Sequence, residues 1–355
     1  MPPLPRTMQA AILATLHDPL VVDEVELPTE LAPGQALVQV HYSGICGSQL
    51  GEIDGVKGPD LHLPHLLGHE GSGTVIMVGA GVRHVSPGDR VVMHWRPGAG
   101  IQSDPPRYAW QGRVLNAGLV TTFNSYAVVS ENRLTSIPRN FNLKSAALLG
   151  CAITTGLGIV SLDARLLMGE SIVILGSGGI GQSVILGAAL ASAYPIIAID
   201  HYSTRVDLAR LLGASHAMTC EHTAQIRDAV RTTLDGRGAD VVIETTGRKN
   251  LIELAFELAG SMGRVILVGV PRHDEDVRLH TLPLHLGKQL IGSHGGSSKP
   301  DLDIPRYVRL AQAGRLPLEL LIADCFPLCE INLAIDNMRQ GKVAGRCLLR
   351  LGTED

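Results

Sequence analysis

Residues 171–200 read SIVILGSGGIGQSVILGAALASAYPIIAID, and this stretch decides the fold of the chain. An apolar strand leads into a glycine-rich turn, and the turn opens an apolar helix. The first glycine permits a tight turn, the second lets the backbone approach a pyrophosphate, and the third allows close helix packing, while the helix N-terminus attracts phosphates. The predicted cofactor-binding residues of this turn are Gly176, Gly178, Gly179, Ile180 and Gly181.

A carboxylate at the end of the next predicted strand supports dinucleotide binding. Asp200 lies nineteen residues after Gly181, where its carboxylate can accept hydrogen bonds from the adenosine ribose hydroxyls. The same charge repels a 2′-phosphate, so the sequence favours NAD over NADP. Arg205 leaves an alternative open, because an arginine there could accommodate that phosphate or could simply be a surface charge.

The pattern that follows Cys151 alternates apolar strands with helices, which is typical of a parallel sheet covered on both faces. Six strands are predicted, at residues 171–175, 196–199, 216–219, 240–244, 264–268 and 289–291. Six such strands complete a doubly wound dinucleotide-binding fold.

The chain before Cys151 has a different pattern, with short alternating strands broken by Gly and Pro. Strands are predicted at 36–42, 73–78, 90–94 and 125–129, so this part is β-rich. Residues 98–116 show no regular period and are predicted to form a long surface excursion. A helix at 306–313 and a strand at 346–351 are expected to return to the first domain. The predicted domain limits are 1–152, 153–298 and 299–355.

Length and composition limit the classes of function. The 355 residues exceed what one hydrophobic core usually serves, and 45% hydrophobic with 18% charged residues suits a compact protein. A net charge of -4 and a pI near 6.4 give no reason to expect nucleic acid or an anionic membrane as a partner. No leader pattern or membrane-length apolar run is present, so a cytoplasmic enzyme acting on a small molecule is expected.

Two cysteines and a histidine stand in glycine-flanked loops. Cys46 lies in GICGSQ, His69 in GHEGSG, and Cys151 in GCAITTGLG just ahead of the dinucleotide fold. Thiolate and neutral imidazole are natural zinc ligands, and three protein ligands leave a fourth position for water or substrate, as in catalytic sites. Taken singly, each cysteine could be a small core residue and the histidine a hydrogen-bonded loop residue.

Together these motifs resemble the zinc-containing medium-chain dehydrogenase family, which includes alcohol, sorbitol and threonine dehydrogenases. The segments that carry the resemblance are GICGSQ, GHEGSGTV, VSPGDRV, TFNSYAVV, GCAITTGLG, GSGGIGQ with Asp200, and GKVAGRCLL. The resemblance implies a β-rich GroES-like catalytic domain joined to a Rossmann domain. It also implies one catalytic zinc held by Cys46, His69 and Cys151, with Glu70 beside the metal as an occasional ligand or supporting carboxylate.

The resemblance assigns further roles to single residues. It implies that the Ser48 hydroxyl starts a proton relay from the bound alcohol, although a serine there could merely form a turn. The other implied roles are Thr155 near the nicotinamide, the Val268 to Val270 backbone at its carboxamide, Arg346 at the pyrophosphate, and Trp95 and Phe123 in the substrate pocket. Either aromatic residue could instead belong to the core. An arginine suits a phosphate because it can donate two parallel hydrogen bonds.

Three departures from the family pattern alter these expectations. Residues 94–123 contain no cysteine, whereas many members hold a structural zinc there, so one zinc per chain is expected. Gln49 stands where the family usually has an aspartate supporting the zinc-bound histidine, which puts metal affinity in doubt. Gly51 replaces the relay histidine of some members, so water, a cofactor ribose hydroxyl or another histidine nearby would finish the relay.

The sequence therefore predicts a zinc-dependent enzyme that transfers hydride between NAD and an alcohol, polyol or sugar. His94, Arg96 and Asn116 could make the pocket polar, or could lie on the surface, and polyols or sugars rank slightly above simple alcohols. A zinc-free NADPH-dependent enone or quinone reductase and a non-catalytic nucleotide-binding protein are the alternatives. The family resemblance implies a homo-oligomer, either a dimer or a tetramer.

Overall fold

The structure, a computed structural model, describes residues 5–352, which form two compact units. The first unit comprises the chain up to Cys151, Lys299–Gln340 and the residues from Arg346 onward; the second comprises Ala152–Ser298 and Gly341–Gly345. The sequence placed residues 341–345 with the C-terminal return, but they pack in the second unit. There the Val343 carbonyl accepts a hydrogen bond from Arg205, and Gly341 lies against the Tyr202 ring.

The strands and helices follow one another along the chain. The strands are β1 Thr7–Leu13, β2 Val21–Glu26, β3 Gln35–Ile45, β4 His65–Leu66, β5 Glu70–Val78, β6 Arg90–His94, β7 Tyr108–Trp110, β8 Arg113–Leu115, β9 Tyr126–Ser130, β10 Leu134–Ser136, β11 Ile172–Leu175, β12 Ile196–Asp200, β13 His216–Thr219, β14 Ala239–Glu244, β15 Ala259–Leu267, β16 Gln289–Gly292, β17 Ile322–Pro327 and β18 Arg346–Arg350. The α-helices are α1 Gly47–Ile53, α2 Leu143–Ala146, α3 Ala152–Gly158, α4 Gly179–Leu190, α5 Ser203–Leu211, α6 Thr223–Thr233, α7 Lys249–Leu258, α8 Leu282–His285, α9 Pro300–Gln312 and α10 Ile331–Arg339.

The second unit is built on a six-stranded parallel sheet. Its strand order is β13-β12-β11-β14-β15-β16, which is the doubly wound dinucleotide-binding order. Its central strands read as continuous apolar runs because helices cover both faces; β11, for example, is buried at every position. The predicted Rossmann fold is confirmed.

The first unit contains two largely antiparallel sheets, and the larger one arranges the site. This sheet has the order β10-β6-β5-β3-β18-β17, and β9 pairs with β3. Strand β18 runs antiparallel to β3 with Cys347 opposite Ile45, so the C-terminal strand does return to the first unit as predicted. The end of β3 and the beginnings of β5 and β18 therefore come together at one place in the sheet.

The excursion at 98–116 is more regular than the sequence predicted. Strands β7 and β8 form an antiparallel hairpin, and β7 extends the smaller sheet by pairing with β2. The segment before the hairpin is held by the buried Glu131 carboxylate, which accepts backbone N–H groups from Arg83, His84 and Ile101. Burial alone would raise the pKa of Glu131, but these donors outweigh it and hold that pKa below its usual range.

Within residues 5–352, no single helix is both long and apolar enough to cross a membrane. One bent pair of shorter helices, 143–150 and 152–163, has the length and composition of a membrane span only when the two are taken together.

His94 lies in the interior of the first unit rather than on the surface or in a pocket. Its ring is completely buried, where Nδ1 donates to the Arg96 carbonyl at 2.7 Å and Nε2 accepts from the Thr135 hydroxyl at 2.9 Å. Burial lowers the pKa of His94 to about 4, and the positive charge of Arg133 adds to this effect. The ring is therefore neutral in the folded protein at neutral pH.

This buried histidine predicts a loss of stability in mild acid. The pKa of His94 is about 4 when folded and about 6.5 when unfolded, so only the unfolded chain binds the proton between these values. Its contribution to the free energy of unfolding is full above pH ~6.5 and falls by about 3 kcal/mol by pH ~4. In urea titrations, His94→Gln should flatten this part of the pH profile and the exposed-site control His273→Gln should not. Parallel profiles for wild type and His94→Gln would contradict the prediction.

Candidate catalytic metal centre and dinucleotide site

Cys46, His69 and Cys151 come together in the first unit. One ligand atom from each lies within 4.8 Å of the other two, and both cysteines are buried. The Nε2 atom of His69 is 3.3 Å from the Cys151 sulfur. Among residues 5–352 this is the one group of three or more His, Cys, Asp or Glu side chains close enough to share a metal ion.

Strand ends and one close backbone approach create this cluster. Cys46 directly follows β3 and caps the N-terminus of α1, while His69 directly precedes β5. Cys151 follows the 3-10 helix Ala147–Gly150, which packs on β5 and β6. A side chain at Gly150 would place Cβ 2.3 Å from the Met93 carbonyl oxygen, so only glycine lets Cys151 approach the other two ligands.

The charges in the cluster favour one thiolate before any metal binds. The Cys151 thiol donates to the Cys46 sulfur, and this bond with the positive charge of Arg346 holds the pKa of Cys46 well below its usual range despite burial. The pKa of Cys151 is raised for the converse reason, because it is the donor of that bond and is itself buried. Coordination of a metal by both sulfurs would require both thiols to lose their protons.

Glu70 and Arg346 form a buried ion pair beside the cluster. The Arg346 Nε donates to Glu70 Oε1 at 2.7 Å, and Nη2 lies 2.5 Å from the same oxygen. The Glu70 side chain is fully buried, and Arg346 is only 4% exposed. The structure therefore gives Arg346 a carboxylate partner that the sequence did not suggest. Its contact with a pyrophosphate, and the role of Glu70 at the metal, stay predictions.

Gln49 and Ser48 lie on the first turn of α1, next to Cys46. The Gln49 side chain reaches both the Cys46 backbone N–H and His69 Nδ1, so it contacts the ligand as the family's aspartate was expected to do. The Ser48 hydroxyl is buried, and no group within residues 5–352 hydrogen-bonds to it. The role of this hydroxyl in a proton relay stays a prediction.

The two aromatic residues assigned to the pocket have different surroundings. The Trp95 ring lies 6.4 Å from the His69 ring between centroids, and Arg96 lies 5.8 Å above Trp95. Phe123 is fully buried and packs against Gly68, the neighbour of His69. Both are close to the metal ligands, and their contact with substrate stays a prediction.

A cavity of about 840 Å³ in the first unit borders the His69 and Gln49 side chains. Its polar wall includes Glu52, Asp60, His62, His65, Asp104, Arg107 and Asn116. Burial raises the pKa of Glu52, whereas Asp60 is paired with His65 at 2.8 Å. Except for Asn116, the sequence analysis did not single out these residues. The helical spacing of Ser48 and Glu52, four residues apart on α1, was the signal available for Glu52.

The glycine turn has the geometry that the sequence predicted. Gly176 follows β11 with a φ of +91°, and Gly178 caps α4. A Cβ on Gly181 would lie 2.0 Å from the Gly176 carbonyl oxygen, so the third glycine is required for the helix to pack this close. Gly178 has open space around it, which leaves room for a ligand at the helix N-terminus.

Asp200 and Arg205 line a smaller cavity of about 250 Å³ beside this turn, together with Gly176 and Gly178. The Asp200 carboxylate accepts the backbone N–H of Ser177 at 2.8 Å and that of Tyr202 at 3.0 Å. Arg205 approaches Asp200 at 3.6 Å and stacks on Tyr202, with its Nε donating to the Val343 carbonyl. These contacts engage part of the Arg205 guanidinium in interactions within the protein.

The remaining predicted cofactor residues lie elsewhere in the second unit. Thr155 is buried in α3, and Val268 and Val270 follow the end of β15. The Val268 N–H bonds to the Glu244 carbonyl, and the Val270 side chain is exposed. None of these three lines the cavity at Asp200, so their contact with a nicotinamide stays a prediction.

Comparisons with known proteins agree with this architecture. A family model described as an alcohol dehydrogenase GroES-like domain matches residues 32–139, and one described as a zinc-binding dehydrogenase matches residues 179–313. An S-(hydroxymethyl)glutathione dehydrogenase of Escherichia coli is 31% identical over 361 residues, which cover 94% of this chain and 97% of the relative.

Two solved structures with the same fold have dehydrogenase names. An alcohol dehydrogenase zinc-binding domain protein from Burkholderia ambifaria matches with a TM-score of 0.88 and 28% identity, covering 98% of this chain and 100% of that one. Benzyl alcohol dehydrogenase from Acinetobacter calcoaceticus matches with a TM-score of 0.86 and 25% identity over the same shares. With the cysteine–histidine cluster and the glycine turn, these matches show that the chain belongs to the zinc-dependent medium-chain dehydrogenase family and is an oxidoreductase of the alcohol dehydrogenase type.

Proposed function

We propose that this protein is an NAD-linked dehydrogenase that oxidises a polar alcohol, a polyol or a sugar, with one catalytic zinc held by Cys46, His69 and Cys151. The observation that carries the proposal is this three-ligand cluster together with the Ser48 hydroxyl, two residues after Cys46, which is buried without a hydrogen-bond partner among residues 5–352. Run in reverse, the same site reduces the matching aldehyde or ketone.

The donor set fits zinc. Two sulfurs and an imidazole nitrogen bound at about 2.0–2.3 Å would lie roughly 3.5 Å from one another, and the three atoms here are already within 4.8 Å. A zinc ion with three protein ligands keeps a position open for substrate and supplies Lewis-acid polarisation of the alcohol oxygen.

The chain's own residues supply proton transfer and position the cofactor. Ser48 would accept the alcohol proton and pass its own hydroxyl proton to water or a cofactor hydroxyl, so that the alcohol loses its proton as it is oxidised. The Glu70–Arg346 pair places a carboxylate and a guanidinium next to the ligands without exposing either to water. NAD bound at the glycine turn would supply the acceptor for the hydride that the alcohol carbon loses when the carbonyl forms.

NAD is the proposed cofactor because Asp200 faces the cavity at the glycine turn. Its carboxylate suits ribose hydroxyls and disfavours a 2′-phosphate, while Arg205 is partly committed to Tyr202 and Val343. A polar substrate is supported by the carboxylates, histidines and Asn116 of the cavity beside His69. The homo-oligomeric state, dimer or tetramer, and the cytoplasmic location stay predictions.

The proposal predicts both a metal content and a substrate preference. Protein purified without chelator should contain about one zinc per chain and reduce NAD with an alcohol, polyol or sugar from a panel, with kcat/KM highest for polar members. Zinc analysis and absorbance at the NADH band measure the two quantities. Oxidation of NADPH on enones without zinc would favour the zinc-free reductase, and binding of NAD without any turnover would favour a non-catalytic protein.

A further inference from the structure

Gln49 lies between two ligands of the proposed metal and faces one with its amide oxygen and the other with its amide nitrogen. Its Oε1 accepts the Cys46 backbone N–H at 2.8 Å, and its amide nitrogen lies 2.5 Å from His69 Nδ1. Gln49 is itself only 1% exposed, so its amide is held in place by these two contacts rather than by solvent.

His69 can offer the metal only one of its nitrogens. Nδ1 is covered by Gln49, whereas Nε2 points toward the Cys151 sulfur at 3.3 Å. A metal bound at His69 would use the lone pair of Nε2. The ring proton of the metal-bound histidine would then lie on Nδ1, and Nδ1 would be a hydrogen-bond donor.

When a metal is bound, two N–H donors therefore face the one side-chain amide of Gln49. The Cys46 N–H and the His69 Nδ1–H both need an acceptor. The amide oxygen of Gln49 lies on the Cys46 N–H, while the amide nitrogen, which can only donate, lies on His69 Nδ1. Turning the amide over gives the oxygen to His69 but sets its NH2 group against the Cys46 N–H. A carboxylate would serve both donors, one with each oxygen.

We propose that Gln49 is a positioning residue that weakens zinc binding at His69, because its oxygen is placed on the Cys46 N–H and its NH2 group is placed against the Nδ1–H of the zinc-bound histidine. The inference rests on the proposed zinc site and goes beyond it, since it assigns to one side chain the affinity and exchange rate of the metal. A buried donor left without a partner has a substantial cost, and replacement of such supporting groups elsewhere changes metal affinity about 10-fold to 100-fold.

The test is zinc affinity, measured on the full-length metal-free protein by competition with a chromophoric chelator. Gln49→Glu keeps the shape of the side chain and supplies two acceptor oxygens, so it should bind zinc at least about tenfold more tightly than wild type. The loss of zinc to excess chelator should slow in parallel. Gln49→Asp, which also supplies two oxygens, serves as a second variant if Gln49→Glu folds poorly.

Two controls separate hydrogen bonding from added charge. Gln39→Glu adds the same charge about 20 Å away along β3, by a rise of 3.3 Å per residue. Glu52→Gln removes a carboxylate from the turn of α1 next to Gln49; Glu52 pairs with Lys57 at 3.9 Å. Neither control should change zinc affinity as much as Gln49→Glu does.

The experiment distinguishes failure of the role proposed for Gln49 from failure of the proposed zinc site. If wild type binds one zinc that Cys46→Ala removes, but Gln49→Glu binds it no more tightly, the role of Gln49 is overturned and the zinc site stands. An effect of Glu52→Gln equal and opposite to that of Gln49→Glu would also overturn it in favour of simple charge. If wild type binds no zinc that depends on Cys46, both proposals fall.

Discussion

Cys46→Ala should lose its zinc and at least about a thousandfold of its alcohol-oxidising activity. The alanine removes one of three ligands, and it is the ligand whose thiolate is already favoured by Cys151 and Arg346. Lewis-acid stabilisation of the developing alkoxide contributes several kcal/mol, and each 1.36 kcal/mol corresponds to a factor of ten in rate. Zinc per chain and kcat/KM for the best alcohol of the panel measure the two losses together.

The matched control is Cys329→Ala, which removes an exposed cysteine that is not part of the cluster. It should retain both the metal and the activity. Circular dichroism and thermal unfolding would show whether the Cys46 variant keeps its fold, because a buried thiol also contributes packing. Activity that persists in a folded, zinc-free Cys46→Ala protein would refute the catalytic-zinc mechanism.

Asp200→Asn should lower kcat/KM for NAD by about 10-fold to 100-fold and reduce the preference of the enzyme for NAD over NADP. Hydrogen bonds to a charged group contribute about 1.5–3 kcal/mol, and the amide keeps only one acceptor where the carboxylate has two. The backbone N–H groups of Ser177 and Tyr202 already use one bond to each oxygen, so the substitution also leaves one of them facing an NH2 group.

Steady-state kinetics with each cofactor at saturating alcohol measure the change in preference. Asp207→Asn, an exposed acid on α5 that pairs with Arg210, is the control and should behave as wild type. A wild-type enzyme that prefers NADP, or an unchanged NAD to NADP ratio in Asp200→Asn, would contradict the assignment of Asp200 to the ribose. The first result would instead give Arg205 the role of phosphate ligand.

Local patterns in the sequence predicted the second unit well. The predicted strand at 216–219 agrees with β13, and the predicted strand at 196–199 agrees with β12 to within one residue. Strands buried on both faces read as continuous apolar runs, and a strand followed by a glycine turn and a helix is a local motif that needs no distant partner. The same reasoning identified Gly176, Gly178 and Gly181, whose geometry in the structure is the one expected.

Local sequence patterns did not predict contacts between residues that are far apart in the chain. The hairpin of β7 and β8 was predicted as an irregular excursion, because its strands have three residues each and β7 is ordered by pairing with β2. The Glu70–Arg346 pair joins residues 276 positions apart, so no spacing rule indicates it. His94 looked like a surface or pocket residue, and only the packing of the sheet shows that it is a buried neutral ring.

The dinucleotide fold and the carboxylate at the glycine turn followed from the sequence, because both depend on residue type and short-range spacing. The three candidate metal ligands are far apart in the chain and were identified by resemblance to a family. Tertiary structure alone decided which strand ends meet, and thereby brought Cys46, His69, Cys151, Glu70 and Arg346 to one place. It also decided that Gln49 contacts His69 across twenty residues of sequence. The physical reason is that hydrogen-bond partners, burial and charge pairing are properties of neighbours in space, which a chain acquires only when its sheets have formed.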